Sequence, residues 1–599
     1  MKPMTKTSSQ IKNSKALMPW RRLSVLIVFI GLVVVLAGRA MDMQVLHSAF
    51  FERQGEARQL RNVTIPANRG DIMDRNGEPL AISTPVSSIW LNPQAFAADE
   101  KSLKKLAGLL SIDAGRLKKK VNAYQDREFM YLKRHVSPEL AGKVLELNIK
   151  GVALQDEYRR YYPAGEVAAH IIGFADIDDS GQEGIELAFD DWLKGEPGRK
   201  QVIRDRYGRA VDDVKRIRSS EPGKPIRLSV DKRLQYLTYR TLKAAVLKHN
   251  AVAGSAVVLD VDSGEVLAIA NQPSFNVNNR SQLSPGSTRN RAVTDVYEPG
   301  SAMKPLTIAA ALESGRWRDY YKVETGPGYM QVMGNTIRDT HNYGDLDVGG
   351  VIMKSSNVGI SKIALSLDAE QQWDMYQKLG FGADTGSGFP GEATGRLSVN
   401  AINNDFERAT LAFGYGVSVT SLQLARAYAA IASGGYLKPV SFLYQEQTPR
   451  GERVMSAETA AAVRKMMQRV VSSKGTGKQA KVANYSVAGK TGTVHKFTAG
   501  GYADDRYLSI FTGMVPAGDP KLVMVVMIDE PRNGEYFGGE VSAPVFSKVM
   551  AGAMRLLDVP PDSVEAGRLV LDANKQRRAQ DKDASAATRV SGASAGEHT

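Results

Sequence analysis

Hydrophobic positions fall into three regimes along this chain. Leu23 to Gly38 is an almost unbroken apolar run, LSVLIVFIGLVVVLAG, which predicts a helix set in lipid. Trp20 on one side and Ala40-Met41 on the other extend it toward the roughly 20 residues that span a bilayer core. Arg22 and Arg39 bracket the run and can snorkel outward. Met43 to Glu52 continues the helix above the membrane. The second regime, to about residue 225, is mixed. Arg61 to Pro93 alternates in short β-like runs between turn signals, with Arg75-Asn76-Gly77 as a hairpin candidate. Apolar spacing predicts small helices over Ala97–Ala123 and Pro138–Leu147. Leu154 to Asp213 returns to strands and turns, with bends at Gly165, Gly173, Gly181 and Gly184 and a short amphipathic helix over Gly184–Leu193.

From Pro225 the segments lengthen. Asp231–His249 reads as a helix, and Gly254–Ile269 as two buried strands around the Asp262-Ser263-Gly264 turn. Further helices are expected over Met303–Glu313, Ser356–Leu367, Ala369–Leu379, Thr420–Ile431 and Ala457–Val471. Apolar strands follow at Leu508–Val515 and Leu522–Ile528, and then a terminal helix, Ala543–Leu557, that packs through Val545 and Phe546. This order predicts an α+β fold, an antiparallel sheet with helices segregated around it, rather than a βαβ alternation. Beyond Pro560 the chain is rich in Lys, Asp, Ala and Ser, the composition of a disordered tail. The expected plan is therefore a cytoplasmic tail (1–22), a transmembrane anchor (23–42), a non-catalytic pedestal (43–225), a catalytic domain (226–560) and the tail (561–599).

Charge sets the orientation of the first helix. Residues 1–22 carry Lys2, Lys6, Lys12, Lys15, Arg21 and Arg22 and no acid, which keeps the N-terminus in the cytoplasm and puts the rest outside. A cleaved signal peptide is the competing reading. The run is longer than the usual signal core, and no small-x-small site closes it before Arg39 and Asp42. The net charge of +14 is diffuse and no nucleic-acid module accompanies it, which fits a protein working near anionic lipid and polymer. With no cysteine, disulfides and thiolate metal sites are excluded. The seven histidines show no close-set ligand pair, so neither metal nor cofactor is expected.

The candidate chemistry begins at EPGSAMKPLT, residues 298–307. Ser301 and Lys304 lie one helical turn apart, so an amine can reach a hydroxyl and serve as its base. Alone the pair means little, since Ser-x-x-Lys recurs at Ser9–Lys12, Ser102–Lys105 and Ser229–Lys232. Ser355-Ser-Asn357 and Lys490-Thr-Gly-Thr493 follow it, completing in order the three signatures of serine penicillin-recognising enzymes. A serine hydroxyl needs its proton removed, and Lys304 can do this only when burial, the cation Lys490 and the positive end of its helix hold it neutral. Ser355 would relay the proton to the leaving amine, and Asn357 would position Lys304 and a substrate amide. Lys490 would meet a carboxylate from a strand edge, with Thr491 and Thr493 as hydrogen-bond partners and Gly492 leaving room for an extended peptide. The backbone N–H groups of Ser301 and Thr493 would receive the oxyanion. Taken singly, Ser355 and Asn357 could merely cap a helix, and Lys490-Thr-Gly could be an ordinary turn.

Long stretches extend these signatures. RNVTIPANRGDIMDRNGEPLA (61–81), RRYYPAGEVAAHIIGF (159–174), SGEVLAIANQPSFNVNN (263–279), YEPGSAMKP (297–305), IRDTHNYGDLDVGGVIMKSSNVGISKIAL (337–365), FGYGVSVTSLQLARAY (413–428), VAGKTGTVHK (487–496) and GEYFGGEVSAPVF (534–546) resemble class B penicillin-binding proteins. Within that family the likeness is to the division-specific peptidoglycan D,D-transpeptidases of Gram-negative bacteria, over roughly residues 20–560. The resemblance implies an elongated, mainly-β pedestal of the dimerisation type and a transpeptidase domain of the serine β-lactamase-like fold. It implies attack by Ser301 on the penultimate alanine of a D-alanyl-D-alanine stem peptide, release of D-alanine, and cross-linking to the side-chain amine of a neighbouring stem peptide at the septum. β-Lactams would acylate the same serine. It also implies an inner-membrane anchor, a periplasmic catalytic domain, and an FtsW-like glycan polymerase with other division subunits as partners.

The middle residues Ala302 and Met303 depart from the relatives' usual choices at positions that do no chemistry. No glycosyltransferase region precedes the catalytic domain, which argues against a bifunctional enzyme, and no acidic deacylating residue marks a β-lactamase. The elongation-specific penicillin-binding protein 2 type is the nearest alternative, against which Lys496 and the compact 61–81 stretch favour division. A β-lactam sensor or non-cross-linking scaffold is the other.

Overall fold

The computed structural model describes residues 19–47, 60–204, 210–284, 286–498 and 501–563. Most of the expected tail therefore lies outside the described residues, as does the end of the Met43–Glu52 helix. Pro19–Met41 is one α-helix and continues as a π-helical turn over Asp42–Leu46. Its apolar side chains are exposed, and the helical span Trp20–Val45, with a mean hydropathy of 2.5, is long and apolar enough to cross a membrane.

Beyond this helix the chain divides into two compact units. The smaller contains Val86–Glu157 and Pro197–Ser220 together with residues up to Pro66. In it the strands Leu60–Ile65, Gly198–Arg204 and Ala210–Arg218 form an antiparallel sheet. Helices Glu100–Leu110, Ala114–Ala123 and Pro138–Glu146 start at Asp99, Asp113 and Ser137, whose side chains each accept a hydrogen bond from a first-turn N–H. Leu106, Leu110, Leu117 and Val144 then bury against Ile89 and Leu91. The helical stretch expected over 97–123 is divided because Ser111 turns left-handed, at φ 55°, and closes the first helix.

The larger unit holds a five-stranded antiparallel sheet. Its strands are β1 (Ala253–Asp260), β2 (Val266–Gln272), β3 (Ala488–Thr498), β4 (Gly501–Val515) and β5 (Leu522–Asp529), in the spatial order β2-β1-β5-β4-β3. Both faces are covered, which is why β1 and β5 read as continuous apolar runs. Ala256 and Val258 join one core with Phe511, Val545 and Phe546, while Val257 and Leu259 join the other with Leu424 and Ala425. Helices Lys232–Lys248 and Ala543–Leu556 lie on the first face, and Ser421–Ala432 lies on the second. The Phe511 and Phe546 rings are 4.8 Å apart. The reading of the fold as α+β with an antiparallel sheet is correct.

The compact units are not continuous in sequence. Residues 67–85 and 158–196 belong to the larger unit. Ile72, Leu80, Tyr162, Ile171 and Leu193 share one core with Ile226, Leu228 and Val257. Local polarity cannot register this, because what unites these segments is packing between residues far apart in sequence. The helix expected over Gly184–Leu193 is two short ones, Gly184–Ala188 and Asp190–Leu193, broken at Phe189.

Candidate active site

Ser301 sits in a 3-10 turn, Gly300–Met303, that leads directly into helix α1, Lys304–Glu313. Pro305 is accepted at the start of α1 because the N–H it lacks would have no partner there. Gly300 has φ +54°, and a Cβ on it would lie 2.3 Å from Val494 Cγ2 of β3. A Cβ on Gly414, at φ +87°, would come within 2.2 Å of the Gly300 carbonyl oxygen. The serine turn is thus held between β3 and the 414 turn by contacts that only glycine permits. From within, the Tyr428 hydroxyl donates to Ala302 O at 2.6 Å.

The second signature lies between helices α2, Val348–Lys354, and α3, Asn357–Leu365. Ser355 ends α2 in the left-handed region at φ 59°, an uncommon conformation for a residue other than glycine. Ser356 is the N-cap of α3 and accepts from Gly359 N at 2.8 Å, so the capping role belongs to the middle residue of the signature. Asn357 is the first residue of α3. Its amide receives Lys304 Nζ at 2.7 Å on Oδ1 and donates from Nδ2 to Arg338 O at 3.0 Å.

Ser355 stands at the junction. Its hydroxyl accepts from Lys304 Nζ at 3.2 Å and from Lys490 Nζ at 2.9 Å. Lys304 also donates to Ser355 O at 2.5 Å, and Lys490 to Thr491 O at 2.9 Å. Both ammonium groups are fully buried. Burial pushes Lys304 well below its ordinary range, the neighbouring charge of Lys490 pushes it further, and Asp339 opposes them. Burial lowers Lys490 to about 7. Two cations sharing one hydroxyl behave as a coupled pair in which one proton is easily lost.

The third signature lies on β3, an edge strand of the sheet. Thr491 is buried, with its hydroxyl 2.8 Å from that of Thr476. Thr493 is half-buried and accepts from Gly538 N at 3.0 Å. Gly492 has a different neighbour from the one expected. A Cβ there would lie 3.0 Å from Pro299 O, so the space it leaves is taken up by the serine turn.

The structure brings Lys304, Ser355, Asn357 and Lys490 into one hydrogen-bonded group and sets the Ser301 turn against the Lys490 strand. It does not join Ser301 to Lys304: among the described residues the Ser301 hydroxyl makes no hydrogen bond, and Lys304 turns to Ser355 and Asn357. The Ser301 N–H also has no partner in its turn among these residues, whereas Gly300 N and Ala302 N bond to Gly414 O and Pro299 O. Lys496 lies beyond this group, paired with Asp529 at 2.8 Å and Glu530 at 3.1 Å.

Sequence reasoning missed Asp339. Its carboxylate accepts from Ser356 Oγ and Asn357 N at 2.5 Å and from Val358 N at 3.0 Å, so one acid both fixes the second signature and faces Lys304. Nothing local marks it, because it lies 17 residues before Ser356, across a short strand and helix α2, and only the folded chain brings it to the second signature. Thr476 was also missed, although a threonine between two glycines, 15 residues before Thr491, is a visible signal.

Comparison with known proteins accounts for the arrangement. Residues 254–551 match the penicillin binding protein transpeptidase domain, and residues 64–228 match the penicillin-binding protein dimerisation domain. The chain is 41% identical to a probable peptidoglycan D,D-transpeptidase PbpC of Pseudomonas aeruginosa, covering 94% of this chain and 99% of that one. It is likewise 41% identical to the peptidoglycan D,D-transpeptidase FtsI of Escherichia coli K12, covering 89% and 91%. Among solved structures it resembles the transpeptidase domain of Burkholderia pseudomallei penicillin-binding protein 3. That likeness has 46% identity and a TM-score of 0.52, over 56% of this chain and 98% of that one. It also resembles penicillin-binding protein 3 of Mycobacterium tuberculosis solved with aztreonam, at 28% identity and a TM-score of 0.64, over 84% and 98%. A transpeptidase domain following a dimerisation domain, with FtsI-named relatives matching along nearly their whole length, places this chain in the class B penicillin-binding proteins, as an FtsI-like member.

Proposed function

We propose that the protein is a peptidoglycan D,D-transpeptidase that works through an acyl-enzyme on Ser301. The carrying observation is the Ser355 hydroxyl held between two buried lysines, 3.2 Å from one and 2.9 Å from the other, beside the serine turn. Neutral Lys304 takes the Ser301 proton as the oxygen attacks the penultimate alanine's carbonyl. The unpartnered Ser301 N–H and the Thr493 N–H on the β3 edge receive the charge that develops on the carbonyl oxygen. As the tetrahedral species collapses, Ser355 passes a proton from the lysine pair to the departing D-alanine amine, and Asn357 keeps Lys304 aligned. Lys490 holds the terminal carboxylate, with Thr491 and Thr493 alongside. An acceptor amine then attacks the ester by the reverse sequence, forming the cross-link and returning the proton to Ser301. Gly492 serves the site by letting the serine turn close against β3. No metal or cofactor enters these steps.

The FtsI likeness supports a role in septal wall synthesis, with an FtsW-like glycan polymerase and other division subunits as partners. The apolar Pro19–Met41 helix supports a single-pass inner-membrane anchor, with the N-terminus cytoplasmic and the catalytic domain periplasmic. Residues 43–225 and 226–560 are its docking and catalytic parts in sequence.

Mass spectrometry after exposure to a labelled penicillin tests the nucleophile. One adduct is expected, on the peptide containing Ser301, and Ser301→Ala abolishes it. Cross-linked product from a lipid-linked substrate then separates a transpeptidase from a sensor that only acylates. A label that survives Ser301→Ala would overturn the assignment.

A further inference from the structure

A cavity of about 590 Å³ opens next to the serine turn and plays no part in the steps above. Glu298, three residues before Ser301, lines it together with Tyr415, Tyr502, Arg396 and Glu407. Its volume is that of a pocket for a side chain or a small molecule, not of a packing defect. The Glu298 carboxylate is half-buried and accepts from Gly416 N at 2.8 Å and from the Tyr502 hydroxyl at 2.9 and 3.1 Å. Among the described residues it forms no ion pair, although Arg396 lines the same cavity. Burial raises its carboxyl above the ordinary range, the state of an acid that lacks a cation. The Tyr415 and Tyr502 rings meet edge to face at 5.5 Å beside it, and aromatic faces attract organic cations.

We propose that this cavity is a subsite for a primary ammonium group carried by a stem peptide, with Glu298 as its counter-charge and Tyr415 and Tyr502 as its wall. The assignment rests on the transpeptidase reading and deepens it. A side chain ending in an amine is the feature that a stem peptide must offer when it serves as acceptor, and a donor peptide carries the same group unreacted. The cavity adjoins the nucleophile by geometry as well as by sequence: Gly416 holds Glu298, and Gly414 packs on Gly300.

The test uses the full-length protein in detergent and peptides ending in D-alanyl-D-alanine. In the donor arm, the residue before that pair is lysine or Nε-acetyl-lysine, and kcat/KM for D-alanine release is measured. In the acceptor arm, a lysine-containing acceptor is added to the acyl-enzyme, and the ratio of aminolysis to hydrolysis is measured. If the subsite serves the donor, wild type prefers lysine by about tenfold, Glu298→Gln reduces the preference to within about twofold, and Glu298→Asp retains part of it. If it serves the acceptor, Glu298→Gln lowers the aminolysis ratio several-fold and leaves the donor preference alone. The proposal is overturned if Glu298→Gln moves neither arm, or if wild type shows no preference for lysine and aminolysis is unchanged by the substitution. Penicillin labelling of Ser301 and D-alanine release by wild type report on the transpeptidase reading separately. Should Glu298→Gln take no penicillin label, Tyr502→Leu decides, since loss of the ring must lower whichever ratio the subsite governs.

Discussion

A lysine acts as a base at neutral pH only if its surroundings make the charged form costly. At Lys304 burial and the Lys490 cation do this, and the Asp339 carboxylate restrains them. Asp339 therefore has two separable effects. It fixes Asn357 through charge-assisted bonds at 2.5 and 3.0 Å to the first N–H groups of α3, and it favours protonated Lys304. Asp339→Asn keeps acceptors for those N–H groups but removes the charge. Without that charge Lys304 loses its proton more easily, so the acid limb of the acylation profile moves to lower pH. Weaker bonds to α3 should lower the plateau by roughly tenfold at the same time. Penicillin acylation rates across pH check both signs. A limb that moved to higher pH would show that Asp339 does not act on the base.

Among the elements, the serine turn shows what sequence reveals and what it conceals. The three signatures were legible because each is a fixed set of residue types at fixed spacing, and the helices behind them were legible from their apolar period. The strand edge carrying Lys490 was legible from its signature, but the strand's length, Ala488–Thr498, comes from pairing with β4 rather than from its own pattern. Asp339 and Gly414 were not legible, because their importance lies in a close approach that only the folded chain makes. Gly414 gives the sharper test. Alanine there combines an unfavourable φ of +87° with a Cβ 2.2 Å from Gly300 O, whereas Gly434 has φ +73° and open space around it. Gly434→Ala should therefore cost about 1 kcal/mol, while Gly414→Ala should cost about 2–4 kcal/mol and displace the turn that presents Ser301. Thermal unfolding and the penicillin acylation rate, measured on both variants, distinguish a general glycine effect from this specific contact. Equal losses in the two would show that the 414 turn does not hold the nucleophile.

For the whole chain, the question is why segments from the N-terminal third belong to the catalytic unit. Apolar packing supplies part of the answer, with Ile72, Tyr162 and Leu193 in the same core as Val257. A charged knot also ties these segments to each other. Glu186 is fully buried and receives Arg69 Nε at 2.6 Å and Arg160 Nε at 2.7 Å, while Arg69 also reaches Asp190 at 2.7 Å. These four residues come from segments 67–85 and 158–196, so the knot fastens two stretches that the sequence separates. A buried ion group of this kind adds little net stability, but removing one partner leaves charge without compensation. Glu186→Gln leaves two guanidinium groups facing a neutral amide inside the unit, and a loss of about 3–5 kcal/mol is expected. Asp368→Asn in the same unit breaks an exposed pair with Arg316, whose side chains are 55% and 48% accessible, and should cost less than about 1 kcal/mol. Because both variants remove one carboxylate, net charge is held equal and burial is the difference. Thermal unfolding followed with limited proteolysis across residues 158–196 reads the result. If Glu186→Gln unfolds no earlier than Asp368→Asn, the knot is not what binds these segments, and apolar packing alone must hold them.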